Sequence, residues 1–221
     1  MKFAFCDYRL DFEEEQNLIN LDFKIIKTPC CSVLDEATKG HPDMLMNFLD
    51  NKTILLHKDI NKNFIKKLKD FGFDVILSKN SIESKYPKDI ILNSVNTKNL
   101  FIHYLKYTDN ALLDNVQHKT LIDVKQGYSK CSTLYINEES FITSDLGIGN
   151  SLKKIGCDVL ILPFGDILLP PLDYGFIGGT CGMLDEKTIG FYGSLDYYKY
   201  GKEVLTFLKK HNTKAIYLRK G

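Results

Sequence analysis

The chain has 221 residues, 44% apolar and 26% charged, enough for one sizeable core or two small ones. With 29 basic against 28 acidic residues its formal charge is +1, which argues against a nucleic-acid partner, whose phosphates call for a basic surplus on one face. No stretch stays apolar for the ~20 residues a membrane-spanning helix needs, because CDVLILPFGDILLPPL (157–172) is broken by Asp166 and prolines.

The first residues, MKFAFCDYRLDFEEE, turn acidic too early for a signal peptide. Cysteines stand at 6, 30, 31, 131, 157 and 181 with no C-x-x-C pair, against a zinc ribbon or a thioredoxin-type site. Reduced thiols in a cytoplasmic protein are the expectation. In chain order, KFAFCDYR reads as a strand, FEEEQNLIN as a helix and LDFKIIK as a second strand, with Thr28 to Gly40 as linker. Met44 to His57 then reads as a β-hairpin turning at Asp50, followed by an amphipathic helix and strand in FIKKLKDFGFDVIL.

The same pattern returns three times. Ile90 to His103 is a weaker hairpin turning at Asn96, followed by NALLDNVQHKTLIDV. Cys131 to Ser144 turns at Asn137 and leads through Asp145, a predicted helix N-cap, into GNSLKKIGCDVLIL. Gly179 to Tyr192 turns at Asp185 and precedes VLTFLKKHNTKAIYL. Each helix breaks at or near Gly or Asn before its closing strand. The lysine runs in these segments alternate with apolar residues and read as solvated helix faces.

The repeating unit is therefore strand, strand, helix, strand, with the first strand of the first copy missing. The units span about 1–30, 41–78, 89–125, 130–163 and 178–219 of a single expected domain, 1–221. A doubly wound sheet is the structural alternative. Its dinucleotide fingerprint fails, since Leu152 stands where a third glycine should follow Gly147 and Gly149, a pair that reads instead as loosening a strand-to-helix turn.

Five such units around a pseudo-five-fold axis resemble the pentein fold, a five-bladed α/β propeller. Its catalytic branch comprises arginine deiminase, agmatine deiminase, dimethylarginine dimethylaminohydrolase and the amidinotransferases. GHPDMLM resembles the deiminases' His-x-Asp segment, which implies His41 as general acid/base and Asp43 as a carboxylate gripping the guanidinium. The family's nucleophilic cysteine follows a glycine-rich run in the last unit, as Cys181 does in GFIGGTCG, although with fewer residues between. Cys131 in GYSKCST is the rival, aligned opposite Met44 at the expected start of an inner strand, beside Lys130.

The chemistry calls for these groups. A thiolate attacks the guanidinium carbon, an imidazole moves protons, and carboxylates pair with the planar cation. Gly178 and Gly179 imply a backbone that approaches another segment or a ligand, and Asp166 or Asp173 in PFGDILLPPLDYGF offers a further carboxylate. Each residue also has a plain reading. His41 and Asp43 can be turn residues around Pro42, the cysteines inert core residues, and the aspartates ordinary loop residues. His57 and His103 fall at equivalent repeat positions, apart around a ring, and nothing has metal-site spacing, so neither a metal nor a cofactor is expected.

Two functions stay open. One is a cysteine-dependent hydrolase or transferase acting on the guanidino group of a small cationic, arginine-like molecule. The other is a pentein that binds without catalysis, as in a translation initiation factor that docks on the large ribosomal subunit. A scaffold without a site is the third reading. Nothing in the sequence sets the oligomeric state.

Overall fold

The computed structural model describes residues 2–220, so Met1 and Gly221 of the expected domain lie outside the described residues. The chain is a mixed α/β protein whose strands, among the described residues, form five separate sheets and no closed barrel. The first sheet pairs β1 (Lys2–Cys6) with β2 (Phe23–Lys27), joined by helix α1 (Phe12–Asn20). The second has β3 (Met46–Phe48), β4 (Thr53–Leu56) and β5 (Asp74–Leu77), preceded by the one-turn helix α2 (Pro42–Leu45) and crossed by α3 (Lys62–Asp70). The third has β6 (Val95–Asn96), β7 (Leu100–His103) and β8 (Thr120–Asp123), with α4 (Asn110–Val116) as crossover.

The fourth opens with the one-turn helix α5 (Ser129–Ser132) and contains β9 (Thr133–Asn137), β10 (Ser140–Thr143), α6 (Leu146–Lys154) and β11 (Asp158–Ile161). The fifth contains β12 (Cys181–Asp185), β13 (Thr188–Phe191), α7 (Gly201–Lys210) and β14 (Lys214–Tyr217). In each three-stranded sheet an antiparallel hairpin is followed by a parallel return strand. That combination needs a crossover long enough to hold a helix.

One backbone hydrogen bond recurs just past the return strand in all five units. The N–H groups of Thr28, Ser78, Val124, Leu162 and Leu218 donate to the carbonyls of Cys6, Leu56, His103, Thr143 and Phe191 at 2.9, 2.8, 3.0, 2.9 and 2.7 Å. The helices also start and stop alike. Asp11, Asn61, Asp109 and Asp145 cap the helices α1, α3, α4 and α6, each carboxylate or amide oxygen accepting a backbone N–H of the first turn. Asp22, Gly72, Gly156 and Asn212 hold a left-handed backbone (φ 63°, 88°, 91° and 53°) at the same place before the return strand. Glycine and asparagine tolerate that conformation best.

The third sheet departs from the repeat. The expected hairpin frame would pair Leu92 with Ile102, but the observed pairs are Val95 with Ile102 and Asn96 with Phe101, so the chain turns at Thr97–Asn99. Residues 90–94 are not strand. Asn93 and Ser94 donate back to Ile90 and Leu92, and the buried Ile90 and Leu92 pack as a turn. This shift makes His103 the counterpart of Leu56, so His57 and His103 are not equivalent. Gly147 and Gly149 lie inside α6 and loosen no turn. A Cβ on Gly149 would stand 2.6 Å from the Ile161 side chain, so the glycine lets the helix settle on its strand.

The chain divides into two compact units, residues 2–4, 10–25 and 130–220 in one and 5–9 and 26–129 in the other. The core of the first gathers Leu134, Ile142, Ile189, Phe191, Val204 and Leu208. That of the second gathers Met44, Leu45, Leu55, Ile90, Leu92 and Phe101. Among the described residues no helix is long and apolar enough to cross a membrane.

Within the second unit the Asp109 carboxylate is buried and fully used. It accepts the N–H of Ala111 at 2.9 Å, of Lys79 at 3.0 Å and of Asn80 at 2.8 Å, and the Asn80 side-chain amide at 3.0 Å. Asp109→Ala removes a helix cap and orphans two further backbone donors, and is expected to cost about 3 kcal/mol in urea unfolding. Asp109→Asn, which keeps one accepting oxygen, is expected to lose roughly half as much.

Candidate functional site

His41 is the N-cap residue of α2 and Asp43 lies in its single turn, so the inner strand begins at Met46 and not directly after the His-x-Asp segment. Pro42 at the first helical position fits this start, because its ring presets φ and its missing N–H is no loss there. Two residues that sequence reasoning left unassigned join His41. The Asp7 carboxylate, just past the end of β1, lies 3.9 Å from His41 Nε2. Arg9 binds the same carboxylate side-on, Nε donating to Oδ1 at 2.9 Å and Nη2 to Oδ2 at 2.7 Å.

The rest of the Arg9 guanidinium is also engaged. Nη1 donates to the Glu36 carbonyl at 2.6 Å and Nη2 to the Ala37 carbonyl at 3.2 Å, while the ring of Tyr8 lies 5.4 Å from the guanidinium carbon. A Cβ on Gly40 would stand 2.5 Å from Asp7 Oδ1 and 2.6 Å from the Tyr8 ring, so glycine is what lets the chain pass Asp7 on its way to His41. The Thr28 hydroxyl fastens that passage by donating to the Gly40 carbonyl.

Burial pushes the His41 imidazole below its ordinary value, the Asp7 and Asp43 charges only partly restore it, and Arg9 lowers it further. Burial alone would raise the Asp7 carboxyl, but the hydrogen bonds and charge of Arg9, with His41, hold it below the usual carboxylate range. The cluster thus keeps an ionised carboxylate beside an imidazole that favours its neutral form, the form a general base starts from.

The two candidate thiols, Cys131 and Cys181, belong to the other compact unit. Cys131 is buried and lies in α5, before the strand and not at its start, so Lys130 and Cys131 are helical neighbours. Cys181 is the first residue of β12, half-buried, and its Sγ–H donates to the Ile177 carbonyl at 3.3 Å. None of the six cysteines forms a disulfide.

Gly178 and Gly179 form a 3-10 turn just before Cys181, and their surroundings differ. A Cβ on Gly178 would stand 2.3 Å from the Lys130 carbonyl oxygen and 2.4 Å from that of Thr133, so this glycine brings the Cys181 turn against the Cys131 segment. Nothing lies within 4 Å of a Cβ on Gly179 or Gly182. Asp166 holds a left-handed backbone (φ 64°) and its carboxylate accepts the Lys199 N–H at 2.5 Å, which ties its loop to the approach to α7. Tyr198 beside it is raised to about 12, by burial first and then by the Asp166 charge. Among the described residues no group of three or more His, Cys, Asp or Glu side chains is placed to hold a metal ion.

With this geometry the chain is similar to solved enzymes at low sequence identity. An amidinotransferase of the saxitoxin biosynthetic pathway from Microseira wollei superposes with a TM-score of 0.56 at 12% identity, covering 93% of this chain and 72% of that one. The inosamine-phosphate amidinotransferase of Streptomyces griseus gives a TM-score of 0.57 at 11% identity, covering 94% and 75%. A dimethylarginine dimethylaminohydrolase gives 0.55 at 8% identity, covering 97% and 90%. The likeness carries the fold alone, which these amidinotransferases and the dimethylarginine dimethylaminohydrolase share. No curated protein matches the chain by sequence. The family model that matches residues 5–221 places it, and the chain belongs to DUF6873, a family of unknown function.

Proposed function

We propose that the five repeated units are the blades of a pentein-type propeller, and that the chain is a cysteine-dependent enzyme acting on the guanidino group of a small arginine-like molecule. The observation that carries this reading is a partly accessible Cys181 at the start of its strand in a chain of this fold, and the half-buried His41 beside the Asp7 carboxylate supports it separately. Cys181 is preferred over Cys131, which is buried. The open space over Gly179 supports room for a ligand beside Cys181.

In the proposed reaction neutral His41 takes the Cys181 thiol proton, the sulfur forms a bond to the guanidinium carbon, and the C–N bond to the leaving amine breaks as the imidazolium passes that proton to the amine. The thiouronium left on sulfur is then displaced by water in a hydrolase, or by an acceptor amine in a transferase. The Asp43 carboxylate would pair with the bound cation.

The second reading, binding without catalysis, is favoured by the Cys181 Sγ–H donating to the Ile177 carbonyl at 3.3 Å, which directs the thiol at backbone. Alkylation with 2-chloroacetamidine, read by mass spectrometry against iodoacetamide as the indiscriminate reagent, decides between the two. The enzyme is expected to label at Cys181 at least about tenfold faster than at the other thiols, an excess lost in His41→Gln. Equal slow labelling of every accessible cysteine would leave the binding reading standing. Assay of arginine, agmatine and methylated arginines for ureido products then names the substrate.

A further inference from the structure

The guanidinium of Arg9 is held as a ligand would be. A carboxylate takes its Nε/Nη2 edge in the side-on paired geometry, two backbone carbonyls take one further N–H each from Nη1 and Nη2, and the Tyr8 ring lies at 5.4 Å. This donor–acceptor match is specific to a planar fork, and an ammonium cannot reproduce it. The residue choice points the same way, for Arg9 is one of only two arginines among the chain's 29 basic residues. The pair is not sealed in, with side-chain exposures of 35% for Arg9 and 19% for Asp7. His41 Nε2 lies 3.9 Å from Oδ2 of the same carboxylate, the oxygen that also takes Arg9 Nη2.

We propose that Asp7 and the carbonyls of Glu36 and Ala37 form a guanidinium receptor beside His41, which Arg9 fills in the resting chain and which a guanidinium ligand takes when Arg9 is displaced. Arg9 is then an internal competitor. A tethered side chain acts at an effective concentration in the millimolar range, so an external guanidinium binds more weakly by the fraction of time that Arg9 leaves the receptor. The ligand class rests on the proposed guanidino chemistry, while the receptor itself depends on no thiol.

The test is a titration of the full-length chain, labelled with 15N and 13C, with methylguanidinium chloride, and with methylammonium chloride as the charge control. The signals are the Arg9 Nε–H resonance, assignable because the only other arginine is Arg219, and the His41 Cε1–H resonance. Methylguanidinium is expected to shift both and methylammonium neither. Arg9→Gln is expected to tighten methylguanidinium binding, read at His41, by about tenfold, and Asp7→Asn to abolish it in either background.

An unshifted Arg9 signal in the wild type, equal shifts with methylammonium, or unchanged affinity in a folded Arg9→Gln would each overturn the proposal. Should Arg9→Gln fail to fold, the wild-type titration decides alone. Binding with no selective labelling of Cys181 would sink the catalytic reading and leave the receptor standing. Selective labelling with no binding at Asp7 would do the reverse.

Discussion

Replacing Gly178 by alanine is expected to destabilise the protein by about 3 kcal/mol or more, with a midpoint of thermal unfolding about 10 °C lower. The added methyl would stand 2.3 Å from the Lys130 carbonyl oxygen, 2.4 Å from the Thr133 oxygen and 2.7 Å from the Thr133 carbonyl carbon. All three are backbone atoms, so no side chain can rotate away. The strain must be met by moving the Cys181 turn off the segment that leads into β9, or by shifting that segment, whose Ser132 and Thr133 are fully buried. Neighbouring Gly179 supplies the control, because nothing lies within 4 Å of its added methyl. Gly179→Ala is expected to leave calorimetric stability within about 0.5 kcal/mol of the wild type. Equal melting of the two variants would show that the approach of Gly178 to the backbone of Lys130 and Thr133 does not constrain the fold.

Stability is expected to fall steeply between about pH 6.5 and pH 4, and His103 is the main reason. Its ring is fully buried, with Nε2–H donating to the Gly127 carbonyl at 3.0 Å and Nδ1 facing the Thr108 hydroxyl at 2.6 Å. Burial holds its pKa down at about 4, against an ordinary value of 6.5. Between those values the unfolded chain binds a proton that the folded chain refuses. The contribution is therefore fully present above about pH 6.5 and lost as the pH falls towards 4, in all about 3 kcal/mol.

His57, pushed down by burial and partly restored by Asp59, and His41 act in the same direction and steepen the decline. Urea unfolding at a series of pH values measures it. His103→Gln, which keeps a donor for the Gly127 carbonyl and cannot take up the proton, is expected to flatten the slope while lowering stability at neutral pH. An unchanged slope in that variant would show that His103 is not the proton-refusing group.

Much of the fold was legible because its repeat is written in hydrophobic pattern and turn residues. Laying Met44–His57 over 131–144 and 179–192 matches the observed pairs Met46 with Leu56, Thr133 with Thr143, and Cys181 with Phe191. The third hairpin escaped because an apolar run such as Ile90–Leu92 buries itself as well in a turn as in a strand, and periodicity cannot tell the two apart.

Cys131 shows the limit of alignment. Its register against Met44 holds, since both stand third in a one-turn helix, but four residues of helix carry no periodic signature. The Asp7–Arg9 partnership with His41 was invisible because it joins residues more than thirty positions apart through a carboxylate at a strand end. The one available hint was compositional, one of only two arginines in a chain that otherwise uses lysine.

The sheets also bear on how this chain folds. Among the described residues every sheet is assembled from consecutive strands of its own segment, and none borrows a strand from a distant part of the chain. Each pairing therefore closes a short loop, and the entropy lost before the first ladder bonds form is small. Such a chain can nucleate at any of several equivalent places and extend to its neighbours, in the manner of repeat proteins, instead of waiting for one long-range encounter. A lesion in one segment then slows the completion of its own sheet and leaves early structure elsewhere in the chain free to form.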